Sequence, residues 1–270
     1  MRLTRTLALA ATAAAALSIG AVIPAAGTTS VSPDTPTYQE FAASTYRDVD
    51  GSYVVNGDEV ISNQGDLRAF YEQLIGPETI NDGLIVNTVG GVDDKWSTSQ
   101  VGNLTYCVST KFGARHDDVV SAMASGAALW ESASSKIDFV YVSGADGNCT
   151  TRNKSVLFSV EPVQTTQYIA RAFFPSTPDR QQNVLIDDSI WSSGSWTPTN
   201  IIGHELGHVL GFRHEHTRPE SGTCFEDNNW RPLTPYDSSS IMHYPQCNGS
   251  SDDLSMTSAD RAGVVALYGN

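Results

Sequence analysis

The chain predicts an α/β fold of the α+β kind, a mixed twisted sheet packed by helices, and three observations lead there. Five short apolar segments lie between residues 104 and 187, separated by turn-forming residues. Helical spacing recurs in four longer segments, three of them after residue 110. The composition, 40% hydrophobic and 17% charged over 270 residues, belongs to an ordinary globular protein long enough for a substantial core.

In chain order, Arg2 and Arg5 precede an uncharged, Ala-rich run from Leu7 to Pro24, and small residues follow at Ala25, Ala26 and Gly27. That is the pattern of an export signal over 1–27. A membrane anchor is the alternative, but alanine is weakly hydrophobic and the small-residue exit suits cleavage. No later segment is apolar enough to span a bilayer, so no stable membrane insertion is expected once the signal is removed. Thr28 to Thr37 is rich in Thr, Ser and Pro and reads as flexible. Residues 38 to 90 alternate apolar runs with turns, as in "YVVNGDEVIS", around one helix in "DLRAFYEQLI". "VGGVDDKWSTSQVGN" reads as a boundary loop.

A denser pattern follows. "LTYCVST" alternates like a strand, and "HDDVVSAMASGAALWESA" is a helix with Val119, Met123, Ala127 and Trp130 on one face. "IDFVYV", "SVLFSV", "YIARAFF" and "NVLID" are further strands. "TSADRAGVVALYG" ends the chain with a capping-box-like start at Thr257 and Asp260.

Charge and cysteines narrow the class. The formal net charge is −14 and the sixteen basic residues are scattered, which argues against nucleic acid as a partner. Cys107, Cys149, Cys224 and Cys247 form an even set in an exported chain, so two disulfides are expected. Of three pairings, Cys107–Cys149 with Cys224–Cys247 is preferred because each closes a local loop. No CxxC pair points to a cysteine metal site.

Four of the six histidines fall within "GHELGHVLGFRHEHTRPE", residues 203 to 220. His204 and His208 are four apart, so on a helix they lie about 40° from each other and grip one ion. Glu205 is adjacent to that pair. Gly211 is placed to stop the helix and turn the chain, and His214 then returns as a third ligand. Three histidines with one open position make a catalytic Zn²⁺ site, with Glu205 placed to take a proton from water. His216 matches no ligand offset and reads as a supporting or surface residue, as do His116 and His243. The paired Asp187 and Asp188 leave room for Ca²⁺, although solvated aspartates are the plainer reading.

These residues resemble the metzincin metallopeptidases, whose HExxHxxGxxH motif is His204, Glu205, His208, Gly211 and His214 here. "SSSIMHYP" is similar to their Met-turn and puts Met242 beneath the metal. "GFRHEHTR" with "SIMHY" resembles the astacin branch, which implies a metzincin-type catalytic domain with a C-terminal subdomain after the third His. The same resemblance implies Tyr244 as a displaceable fifth zinc ligand that helps stabilise the oxyanion, and Glu215 as the seat of the mature N-terminus. It also implies that 28–91 is a prosegment, with Asp58 of "VNGDEVI" in place of the catalytic water, ahead of a catalytic domain over 92–270. "YIARAFFP" and "NVLIDDSIW" look more like matrixins, and "YIARAFF" is the candidate strand for pairing with extended substrate. Pro219, Glu220 and Ser221 replace the Asp-Arg-Asp of many astacins.

The expectation is therefore a secreted, monomeric, zinc-dependent endopeptidase made as a zymogen and acting on protein or peptide substrates. Its rivals are a matrixin-like peptidase in which Tyr244 is no ligand, and a secreted metal-binding module without turnover. Retention of Glu205 argues against the second, because a binding site needs no base.

Overall fold

A computed structural model describes residues 36–75 and 84–270. The export signal expected over 1–27 lies outside the described residues. The first part of the chain is a small antiparallel meander of β1 (Tyr46–Arg47), β2 (Tyr53–Val55) and β3 (Glu59–Ile61). It is flanked by α1 (Tyr38–Ser44) and α2 (Gln64–Leu74). The sequence reading did not include α1. Thr37 and Glu40 close a capping box on it, and Phe41 stacks on Phe70 of α2 at 6.0 Å, so tertiary packing sustains two short turns.

The stretch read as a boundary loop is instead structured. Around it run β4 (Ile85–Val89), β5 (Val92–Asp93) and a one-turn α3 (Thr98–Val101). Strand β4 pairs with β5 and, from the far side, with β11 (Trp230–Pro232). Leu84, Ile85 and Val86 are fully buried. Trp96 donates its indole N–H to the Val209 carbonyl at 2.7 Å. The Gly and Asp residues that suggested a boundary form a tight hairpin and a cap.

Five strands make the main sheet, in the order β7 (Phe139–Tyr141), β6 (Leu104–Val108), β8 (Phe158–Val163), β10 (Asn183–Asp187) and β9 (Ala170–Arg171). All pairs are parallel except β9 with β10. Parallel strands need cover, which explains the near-continuous apolar runs of β8 and β10. Helices α4 (His116–Glu131) and α5 (Pro198–Val209) supply it together with α6 (Ser258–Tyr268), and one apolar cluster joins all three to the sheet. The expected face of α4 is the buried one: Val119, Met123, Ala127 and Trp130 all point inward. Both disulfides form with the expected pairing, Cys107–Cys149 and Cys224–Cys247.

"YIARAFF" yields only two strand residues. Thr177 Oγ accepts the Phe174 N–H at 3.1 Å and turns the chain away. Phe173 then packs on Phe158, and Phe174 meets the His208 ring edge-on at 5.4 Å. The strand nevertheless occupies the end of the sheet, where its outer side has no strand partner among the described residues.

Trp130 links α4 to α5. It is fully buried, stacks on Phe212 at 5.1 Å and donates to the Gly203 carbonyl at 2.7 Å. Trp130→Ala is expected to lower stability by about 3–5 kcal/mol through the cavity it leaves, read as a shifted midpoint in denaturant unfolding.

Candidate metal centre

Helix α5 begins at Thr197, whose side chain accepts the Asn200 N–H, with Pro198 in its first turn. It ends at Leu210, and Gly211 follows with φ +93°. A Cβ at Gly211 would collide with the Asp94 carbonyl, so backbone geometry and close approach both call for glycine there. The reversed chain is then held to β4: Asn87 donates to the Gly211 carbonyl at 2.8 Å, and the Arg213 N–H reaches the Ile85 carbonyl at 3.1 Å. His214 is thereby carried back to the helix, and its Nε2 lies 3.1 Å from that of His204.

Each of the three histidines commits its Nδ1. His204 donates to the Ile241 carbonyl at 2.7 Å, and His208 to the Phe212 carbonyl at 2.9 Å. His214 Nδ1 bonds the Glu226 carboxylate at 2.7 Å. Carbonyls only accept, so His204 and His208 carry their protons on Nδ1 and turn Nε2 lone pairs inward. Burial holds both below the usual histidine range, that is, neutral.

Asp58 occupies the middle. Its carboxylate lies 3.3 Å from His204 Nε2, 3.5 Å from His208 Nε2 and 3.2 Å from His214 Nε2. The Tyr244 hydroxyl donates to the same carboxylate. Burial opposes the charge on Asp58, but His214 and the histidine contacts outweigh it and hold the carboxyl well below its ordinary value. Two buried atoms here, Asp58 Oδ1 and His208 Nε2, have no hydrogen-bond partner. The His204 and His208 Nε2 lone pairs turned toward the buried Asp58 carboxylate are what a cation resolves, so the donor set fits a metal ion. His204, His208, His214 and Asp58 can each offer it one atom.

Glu205 lines the same cavity as Asp58, Tyr244 and residues Gln167 to Ala170. Its Oε2 is buried without a partner, and burial, followed by the Asp58 charge, raises its pKa well above the ordinary carboxyl value. Met242 is fully buried under α5, where a Cβ on Gly207 would strike its sulfur. The turn that carries it is pinned by Asp260, which accepts the Ser240 hydroxyl at 2.5 Å and the Ile241 N–H at 3.0 Å. Asp260 also closes the capping box of α6 with Thr257, so one carboxylate serves both. Glu215 is buried against Arg218 at 2.8 Å and the Asp237 N–H, and burial pushes it up to about 8.

The remaining histidines divide. His216 is inside, bonding Glu226 at 3.2 Å through Nε2 and accepting the Tyr244 N–H at 3.1 Å through Nδ1. His243 bonds the Tyr236 hydroxyl at 2.8 Å, and His116 lies between Asp117 and Asp146. Asp187 uses its two oxygens on the N–H groups of Ser189 and Thr165, and no cluster of three or more metal-binding groups among the described residues includes it. The site residue that sequence reasoning missed is Glu226. It joins His214 and His216, and it stands with Asp227 and Glu59 around the buried Arg213. No motif spacing marks it.

Residues 107–268 match the peptidase M57 family, described as a dual-action HEIGH metallo-peptidase. The chain belongs to this family. His-Glu-Leu-Gly-His at 204–208 is its version of the name-giving motif. Curated relatives are astacin-like. Astacin-like metalloprotease toxin 2 of Loxosceles intermedia is 36% identical over 24% of this chain and 34% of the toxin. High choriolytic enzyme 1 of Oryzias latipes is 44% identical over 17% of this chain and 23% of that enzyme. Human tolloid-like protein 1 is 35% identical over 26% of this chain and 9% of its own length. The chain thus spans about a third or less of these relatives. Among solved structures, myroilysin aligns with TM-score 0.44 and 18% identity over 66% of this chain and 96% of its own.

The HEIGH metallopeptidase assignment agrees with the family resemblance read from the motif and with the class of enzyme, and membership implies a metal. If Glu226 orients His214, Glu226→Gln should lower zinc affinity roughly 10–100-fold while leaving the fold intact. Titration of zinc against a chromophoric chelator, alongside circular dichroism, checks this.

Proposed function

We infer that the chain is a secreted zinc endopeptidase made as a latent precursor. The observation that carries this reading is Asp58, seated among the three histidine nitrogens and bonded to Tyr244. His204, His208 and His214 hold the metal, and Asp58 fills the position where water would otherwise sit. Zinc there supplies Lewis acidity and a lowered pKa for a bound water.

The chain's own groups do the rest. Glu205 accepts the proton of the attacking water and passes it to the leaving nitrogen, a role its partnerless Oε2 supports. Tyr244, once free of Asp58, turns its hydroxyl to the oxyanion. Met242 and Asp260 keep the floor of the site in place. Strand β9, with no strand partner on its outer side among the described residues, holds an extended peptide beside Glu205 by β-pairing.

The domain scheme follows as export signal, prosegment and catalytic domain. We draw the last boundary ahead of Leu84, upstream of the 91/92 limit suggested by sequence, because β4 is buried and paired with β11. Secretion is supported by the Arg-led, Ala-rich start and by the use of all four cysteines in disulfides. Among the described residues no helix is long and apolar enough to cross a membrane.

Chelation should abolish casein cleavage and added zinc should restore it. Glu205→Gln should retain zinc yet lose activity on the order of 10³-fold or more, the scale of a missing general base with its electrostatic help. Unchanged activity in that variant would sink the mechanism. Asp58→Ala should let the uncut precursor cleave peptides that the wild-type precursor leaves intact; a silent uncut variant that still binds zinc would count against the latency role.

A further inference from the structure

Arg171 ends the main sheet on β9 with its side chain wholly buried; its charge acts on Glu205 from a distance, but none of its hydrogen bonds goes to a residue of the metal centre. Its donors divide by origin. Nη1 bonds the Asn183 side-chain oxygen at 2.8 Å, within the sheet. The opposite edge of the fork, Nε and Nη2, is taken by Asp48 at 2.7 Å and Asp50 at 2.8 Å. The Tyr168 hydroxyl donates to that same Asp48 oxygen at 2.8 Å. Both aspartates lie on the turn between β1 and β2, inside the segment whose removal activates the enzyme in the reading above.

When that turn departs, Asn183 stays and two guanidinium N–H groups and a phenol lose their acceptors together. A desolvated cation stripped of its counter-charges demands replacements. The place is suited to supply them. Ala170, which precedes Arg171 on β9, and Tyr168, just ahead of the strand, line the cavity that holds Glu205, His204 and Tyr244. A peptide paired with the strand edge of β9 that has no partner among the described residues therefore passes Arg171 on its way to the scissile position.

Resting on the latency reading, we propose that the Nε/Nη2 edge of Arg171, with the Tyr168 hydroxyl, is a carboxylate subsite that binds one Glu or Asp side chain of the peptide substrate. Asp48 and Asp50 hold the place of that side chain in the precursor. The two N–H groups of one guanidinium edge match a carboxylate bidentately, and a carboxamide offers them a single oxygen. The subsite thus selects for charge and for geometry at one position of the substrate.

The test begins with full-length chain matured by its own processing, with N-terminal sequencing of the active form. Peptide pairs differing only by Glu or Gln are then scanned along the sequence around the cut. One position should favour Glu by on the order of 10–100-fold in kcat/KM, the scale of a lost charge-assisted hydrogen bond. Arg171→Gln should erase that preference, the loss falling on the Glu peptide. Tyr168→Phe, which keeps the ring and removes one donor, should reduce it several-fold.

A measurement on wild-type enzyme avoids any folding defect. A synthetic peptide of residues 45–55 should inhibit the active form, and Asn at positions 48 and 50 should weaken that inhibition about tenfold or more. Equal inhibition by both peptides, or no Glu preference at any position, overturns the subsite and leaves latency standing. Active enzyme that still contains Asp48 and Asp50 overturns both.

Discussion

Three imidazole nitrogens and a carboxylate meet at buried side chains, and that convergence sets terms for the rest. Lone pairs crowded together without solvent are tolerable only around a positive charge. Holding them there takes four separate pieces of chain: the second half of α5, the reversal at Gly211, the Met242 turn and the β2–β3 turn. Each is fixed by contacts that do no chemistry. The Asp94 carbonyl shapes the reversal, β4 receives it, and Asp260 ties the Met242 turn to the start of α6.

Around that centre lies a second layer in which side chains settle proton positions. The carbonyls of Ile241 and Phe212 fix the tautomers of His204 and His208, whereas His214 faces the Glu226 carboxylate. Burial opposes a charge on His214, but the Glu226 and Asp58 carboxylates outweigh it and hold the imidazole well above the usual histidine range, and Glu226 itself belongs to a buried ion cluster with Arg213 and Glu59. His216 belongs to this layer, since it connects Glu226 to the Tyr244 backbone. The network reaches from β3 to the Met242 turn through the buried side chains of Glu59, Arg213, Glu226 and His216.

What sequence reasoning could see followed short-range rules. The four-residue spacing of His204 and His208, the glycine after them, the apolar face of α4 and the Thr257 cap are local patterns, and each forms as expected. The pairing of the four cysteines followed from loop length. What escaped depends on partners far along the chain. Strand β4 is paid for by β11, some 140 residues away, and its Gly- and Asp-rich neighbourhood disguises it as a linker. "YIARAFF" has strand composition, but Phe174 is drawn to His208 and the strand stops early. Glu226 has no periodicity to betray it, and the Arg171 pairing joins residues more than 120 apart.

The β1–β3 meander brings four acidic side chains to three basic places: Asp48 and Asp50 to Arg171, Asp58 to the histidines, and Glu59 to Arg213. Strand register fixes their spacing, so the contacts form a multivalent clamp rather than four independent bonds. Loss of any one leaves the others holding its partner at high effective concentration, and rebinding outruns escape. On the latency reading proposed above, such a clamp resists leakage by thermal fluctuation and would yield to a cut in its connection to β4, which converts a tethered ligand into a diffusible one subject to dilution.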